Sequence, residues 1–253
     1  MYEDSIRDEF TNQTEVFSRA QGLQQAEVLG ALIDAVPAEP QARWLEIACG
    51  AGMIGRALAR EVGSVQGVDL TPAMIERARK EAAAEGLDNA EFAVGDATAL
   101  EFDDASFDGA LTRFSFHHIP APQRALEEMA RVVRPGGWVV VADHARDGDA
   151  DVAAWVEEIE RLRDPSHWAC LTPGRMRAIG EEAGLTLDRE QLLPFELDFE
   201  DWRDRSSGGP AAAPLIDRLL AEAPPAAEAF RVRGEGSERR LALINMVFRW
   251  RRA

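Results

Sequence analysis

Three glycines and three acids carry the first chemical signal in the chain. Gly50, Gly52 and Gly55 spell G-x-G-x-x-G within the stretch LEIACGAGMIG. A glycine turn of this kind lets the backbone come close to a ligand, and it cradles the pyrophosphate of a dinucleotide. A similar turn holds S-adenosylmethionine, which carries no phosphate, and the glycines alone leave both open. Glu46 lies four residues before Gly50. A carboxylate there repels a pyrophosphate but engages an ammonium or its bound water. Asp69, 19 residues after Gly50, suits the two hydroxyls of a ribose in either cofactor. Asp96, in VGDA, offers an acceptor for an adenine amino group, and the N–H of Ala97 can meet a ring nitrogen.

The histidines are the second signal. There are four, and all follow expected strands or lie in an expected insertion. His117 and His118 come after the fourth strand, His144 after the fifth, and His167 in the loop RDPSHWACLTP. A histidine with a pKa near neutrality can act as general base toward a phenol, enol or amine. The same residues can instead shape a pocket. His118 and His167 lead as catalytic candidates, followed by His117. Cys49 faces the glycine turn and reads as packing. Thr71 reads as the cap of a helix opening at Pro72. Cys49 and Cys170 suggest neither a disulfide framework nor a metal cage, so no metal is expected.

These residues need a scaffold, and the order of elements supplies one. ARWLEIAC, SVQGVDL, AEFAVGDA, FDGALTRF and WVVVADHA read as strands. Helical patterns alternate with them, including PAMIERARKEAAAEG, which has proline near its start and Gly86 at its end. A further helix over 22–36 precedes the first strand. RPGG reads as a stop after the helix PQRALEEMARVV. Such alternation predicts a parallel sheet covered on both faces. After Ala145 the pattern changes. A helix over 149–163, a loop and another helix lead to a strand, LTLDREQLLPFELDF. Residues 199–232 read as irregular, and RLALINMVFRWRR closes the chain as a strand. Ligands of open α/β sheets sit beyond the carboxyl ends of the strands, so 146–175 and 199–232 are expected as lids. Trp155, Trp168, Phe195, Phe199 and Trp202 in these segments either line an apolar pocket or pack the insertions.

The pieces LEIACGAG, VDLTPAMIERAR, FAVGDATALEFDDASFD and RALEEMARVVRPGGWVVVAD, in this order and spacing, resemble the class I S-adenosylmethionine-dependent methyltransferases. The subgroup resembled is that of ubiquinone and menaquinone biosynthesis with its bacterial small-molecule relatives. RFSFHHI, LRDPSH and LDFEDWRDR extend the resemblance to about residue 205. Quinone methyltransferases of that group carry an Arg-Asn pair where this chain has His117 and His118. Many members have a glycine where this chain has Ala48.

The resemblance implies a doubly wound α/β fold. Its seven-stranded, mostly parallel sheet ends in an antiparallel hairpin and carries helical lid insertions. One domain would span 1–253: an N-terminal lid over 1–36, a cofactor-binding core over 43–145, an insertion with helices over 146–183, and C-terminal strands over 184–253. It also implies cofactor contacts from Glu46, Gly50, Gly52, Asp69, Leu70, Asp96, Ala97 and the Arg113 carbonyl. The reaction implied is methyl transfer to a small organic acceptor, with carbon or oxygen ahead of nitrogen. It requires alignment and exclusion of water more than side-chain chemistry. The rivals are a cyclase or isomerase on the same scaffold and a dinucleotide oxidoreductase, against which Glu46 and VGDA argue.

The bulk composition agrees. Of 253 residues, 46% are hydrophobic, enough for a real core. A net charge of −17 repels nucleic acid and anionic lipid, so neither is an expected partner. No apolar run approaches membrane-spanning length, and MYEDSIRDEF lacks a signal core. The expectation is a cytoplasmic monomer or homodimer.

Overall fold

In the computed structural model, residues 4–12, 26–224, 227 and 230–253 are described. Helix α1 covers 4–12 and α2 Ala26–Ala35. Strands β1 (Arg43–Ile47), β2 (Ser64–Asp69), β3 (Ala90–Val94), β4 (Phe107–Arg113) and β5 (Val133–His144) alternate with α3 (Met53–Leu58), α4 (Pro72–Ala84) and α5 (Pro122–Val132). Then come α6 (Ala150–Arg163), α7 (Pro173–Glu182), β6 (Leu185–Asp198), α8 (Phe199–Asp204), α9 (Gly209–Ala221), β7 (Phe230–Arg233) and β8 (Arg240–Arg252).

The sheet order is β3-β2-β1-β4-β5-β8-β6, with β7 paired to β8. Strands β1 to β5 run parallel, and β8 lies antiparallel between β5 and β6. Helices cover both faces. On one, α5 and α7 bury Leu126, Met129, Met176 and Ile179 against β4, β5 and β8. On the other, Leu32 of α2 and Ile54 and Leu58 of α3 pack on Trp44, Leu111 and Val140. The doubly wound, mostly parallel expectation holds: seven strands lie side by side, and among the described residues β7 adds an eighth by pairing with β8 off that path.

The eighth strand lies in the segment read as irregular. β5 leaves β8 at the His144↔Asn245 pair. β6 follows β8 along its other edge to Arg240. β7 pairs with the remaining stretch, Arg240–Leu243, and so continues the edge that β5 gives up. The β6, β7 and β8 ends therefore project beyond the carboxyl edge of the parallel strands. With α6, α8 and α9 they enclose a second core of Trp155, Ile159, Phe195, Phe199, Trp202, Ile216, Phe230 and Leu243. Full burial of each such side chain contributes about 1.5–3 kcal/mol. This core gathers four of the five aromatics offered for the pocket. They pack the insertions, while Trp168 is exposed.

SSGGPAAAP hid α9 because its glycines and prolines read as breakers. Pro210 stands in the first turn of α9, where a missing N–H costs nothing. Thr71 sits at the N-cap of α4 but makes no side-chain cap bond. Its carbonyl already takes the Met74 and Ile75 N–H groups. The helix α5 does end at Val132, just before RPGG, which itself lies inside β5 at a register shift where Phe107 pairs with Val133 and Gly109 with Trp138.

Candidate active site

Strand ends lay the predicted acids side by side. Glu46 lies in β1, Asp69 ends β2, Asp96 follows β3 and Arg113 ends β4. The sheet order places these in the row Asp96, Asp69, Glu46, Arg113. Adjacent strands lie about 4.8 Å apart, so the row spans about 15 Å.

The glycine turn is tied to the acids. Asp69 accepts the Gly50 N–H through Oδ2 at 2.8 Å and the Thr71 N–H through Oδ1 at 2.9 Å. Glu46 Oε2 accepts the Gly55 N–H at 2.7 Å. A Cβ on Gly55 would stand 2.7 Å from that same oxygen, so glycine is required there. Ala48, Gly50 and Gly52 have φ of 47°, 52° and 72°. Ala48 thus holds a left-handed position that a glycine would occupy without strain. A Cβ on Gly52 would stand 2.6 Å from the Phe92 ring. Gly52 therefore lets α3 close on β3 and is not among the residues lining the cavity, unlike Gly50.

The cavity, of about 660 Å³, is lined by Glu46, Gly50, Asp69, Leu70, Asp96, Ala97 and Arg113, with Cys49 at the turn. Burial pushes Glu46 up to about 8, against the Gly55 bond and the Arg113 charge, which pull it down. Burial also raises Asp69. Asp96 closes a turn, accepting the Thr98 N–H and hydroxyl on Oδ1, both at 2.8 Å. The turn-forming and cavity-lining readings of Asp96 thus both hold. Arg113 is drawn down to about 10 by burial. Its guanidinium lies 4.8 Å from the Phe114 ring, and its buried Nη1 has no hydrogen-bond partner.

The β4 end of the row is walled by Ile6, Phe10, Phe114, His118 and Ile119. Phe114, a residue the sequence reading passed over, has φ of 51°. A bulky side chain there is an outlier, and it stacks on His144 at 4.5 Å. Helix α1 brings Phe10 edge-on to His118 at 5.0 Å. Glu9 on the same helix accepts the Ser207 N–H at 2.7 Å and also its hydroxyl. Phe17, expected on the same lid, lies outside the described residues.

Only one of the candidate catalytic histidines lines the cavity. His118 donates its Nδ1–H to the Ser166 carbonyl at 3.0 Å, since a carbonyl can only accept. Its lone pair is therefore on Nε2. Burial, with His117 and His167 nearby, pushes His118 down to about 3. His117 lies behind it, with Nδ1 2.6 Å from Asp143 Oδ1. Burial alone would lower His117, but the Asp143 carboxylate overrides it and raises the pKa. His167 is buried against Glu157, 2.7 Å from Nε2 to Oε2. Neither His117 nor His167 reaches the cavity wall. The 146–175 segment backs the site: the Trp168 N–H donates to the His117 carbonyl at 2.8 Å. Asp143 and Glu157, which fix these rings, were missed; the only trace was an acid beside His144 at a strand end.

The comparisons agree with this geometry. The family model described as a methyltransferase domain matches residues 45–141. YcgJ of Bacillus subtilis, an uncharacterised methyltransferase, is 30% identical over 202 residues, covering 80% of this chain and 79% of its own. The YcgJ crystal structure superposes with a TM-score of 0.82 at 27% identity, covering 90% of this chain and 99% of the other. A demethylmenaquinone methyltransferase of Clavibacter sepedonicus is 38% identical over 101 residues, 40% of each chain. A Bacillus halodurans structure with a TM-score of 0.83 at 24% identity, covering 89% and 99%, shows the shared fold. With its parallel core, row of strand-end acids and full-length relative, the chain belongs to the class I S-adenosylmethionine-dependent methyltransferases.

Proposed function

We propose that the cavity holds S-adenosylmethionine across the ends of β3, β2, β1 and β4, and that the acceptor is a small, largely apolar molecule methylated on oxygen or carbon. The observation that carries this is the row Asp96, Asp69, Glu46, Arg113 along one cavity. Its length matches adenine, ribose and an amino acid laid end to end. The residues fit the cofactor. Asp96 and the Ala97 N–H suit the adenine edge, Leu70 its face, and Asp69 the ribose hydroxyls. Glu46 and the Arg113 carbonyl suit the ammonium. The unpartnered Arg113 Nη1 suits the carboxylate. The volume lies within the range of small-molecule sites.

When bound, the cofactor supplies an electrophilic methyl on its sulfonium. The chain aligns and shields. Ile6, Phe10, Phe114 and Ile119 give the acceptor an apolar wall. His118 Nε2 accepts a hydrogen bond from the acceptor's hydroxyl, enol or N–H and sets its angle. His117 and His167, off the cavity, serve as positioning residues behind it. The apolar wall favours a neutral acceptor, hence carbon or oxygen over an ammonium nitrogen. Both cysteines are free and buried, which suits a reducing, cytoplasmic setting. Among the described residues no helix is long and apolar enough to cross a membrane.

The test incubates the purified chain with methyl-labelled cofactor and a panel of phenols, enols and amines. Labelled product with stoichiometric S-adenosylhomocysteine supports the reading. Cofactor binding with acceptor turnover but no S-adenosylhomocysteine would instead mark a cyclase or isomerase.

A further inference from the structure

All four histidines of the chain meet in one cluster, His118 on the cavity wall and His117, His144 and His167 behind it. The ring centres of His117 and His144 are 5.1 Å apart, and those of His117 and His167 5.7 Å. We propose that His117, Asp143 and His144 form a binding site for a divalent transition-metal ion of the zinc or cobalt type. Three observations carry this.

The first is geometry. The three residues each offer a ligand atom, and these atoms all lie within 4.8 Å of one another. Bonds of about 2.0–2.2 Å to one tetrahedral centre set ligand atoms about 3.4 Å apart, so the widest spacing closes on the ion while the 2.6 Å His117–Asp143 hydrogen bond opens to admit it. The second is an unsatisfied donor set. The buried Nδ1 of His144 has no hydrogen-bond partner, nor has that of His167 beside the cluster. The His144 ring lies near-parallel to those of Phe114 and Phe195, with centroids at 4.5 and 5.8 Å, and these stacks fix its plane. The third is charge. Asp143, Glu157, Glu160 and Asp164 are all buried here; among the described residues Arg163 faces Glu160 and Asp164, while His117 sits beside Asp143 and His167 beside Glu157. A dication bound at Asp143 takes the place of the His117 proton as its counter-charge.

Two imidazoles and one carboxylate select among metals. Imidazole suits zinc, iron, cobalt or nickel, whereas magnesium and calcium take all-oxygen sites. Three protein ligands leave an open position for water or a further ligand. The inference does not depend on which acceptor is methylated.

The test strips the full chain with EDTA and titrates it with Co²⁺, read by visible absorbance, and with Zn²⁺ by calorimetry. One equivalent of each should bind, with millimolar Mg²⁺ failing to compete. His144→Phe keeps the stacked ring and removes the nitrogen. Altering even an outer-shell partner costs about 10–100-fold, so this variant should lose at least about 100-fold in affinity. Cys170→Ser alters the neighbouring trio of Glu157, His167 and Cys170 and should leave binding unchanged. Absence of stoichiometric binding overturns the proposal. So does full affinity in His144→Phe, or loss confined to Cys170→Ser. Should His144→Phe not fold, anomalous scattering from Zn²⁺-soaked crystals of the unaltered chain decides it: a peak among His117, Asp143 and His144 is expected, and a peak elsewhere or none contradicts it.

Discussion

At the scale of single residues, Asp69 holds the glycine turn, and in the proposed function it also presents lone pairs to the ribose. Each hydrogen bond to a charged group is worth about 1.5–3 kcal/mol. Asp69→Ala should therefore weaken S-adenosylhomocysteine binding by about 3–6 kcal/mol in calorimetry. Asp96→Ala should lose about half as much, because the adenine amino group would give it one hydrogen bond where the ribose gives Asp69 two. Glu46 makes binding depend on pH. In the free protein it titrates at about 8, facing Arg113, Asp69 and Arg56. An ammonium beside it favours the carboxylate, so the complex holds a lower pKa and binding expels a proton. Affinity should rise between about pH 6 and 8, by at most about tenfold per unit, and level off above. Glu46→Gln should flatten that profile; a wild-type profile that falls with pH would refute the role. With burial holding its pKa down to about 3, His118 is better suited to orient an acceptor than to remove a proton. His118→Asn should raise the acceptor KM about tenfold with a modest fall in kcat. A kcat loss beyond about 100-fold with KM unchanged would restore it as general base. The acids of the site were legible in the sequence because each ends a strand at a fixed distance from the glycines. Phe114, Asp143 and Glu157 were not, since their partners lie on other elements and no local spacing announces such pairs.

At the scale of elements, the glycine turn carries strain at Ala48. A left-handed alanine costs about 1–2 kcal/mol, and a glycine gives back about 0.5–1 kcal/mol in unfolded-chain entropy. Ala48→Gly should thus raise stability by up to about 1 kcal/mol, read as a melting temperature higher by up to about 4 °C. A lower melting temperature would show that the turn does not carry this strain. Helix α1 is clamped by Glu9 on Ser207 and rests Phe10 on His118. Hydrogen exchange in 4–12 and in 146–175 should slow when S-adenosylhomocysteine is added. Glu9→Ala should abolish the slowing in 4–12 and speed ligand release. Protection confined to the glycine turn would mean that neither segment closes. Strands β1 to β5 were legible because each is a short apolar run between a helix and a turn. β7 and α9 were not. β7 is four residues long and exists only because β8 outruns β5; α9 hides its helical period behind Pro210 in its first turn and Pro214 inside it.

At the scale of the whole molecule, the fold is one sheet with two cores. The parallel half fixes the cofactor row, and the projecting ends of β6, β7 and β8 carry their own apolar core beside it. This division explains why the parallel half was readable and the projecting half was not. The first repeats a strand-turn-helix unit with chemistry at its ends; the second is assembled from pieces distant in sequence. The net charge of −17 suits a neutral small acceptor better than an anionic polymer. The most direct test of the cofactor site is a crystal structure of the chain with S-adenosylhomocysteine. Expected are the ribose hydroxyls on Asp69, the adenine amino group on Asp96, the ammonium at Glu46 and the sulfur at the β4 end near His118. A ligand bound outside this cavity, or laid along the row in the reverse direction, would contradict it.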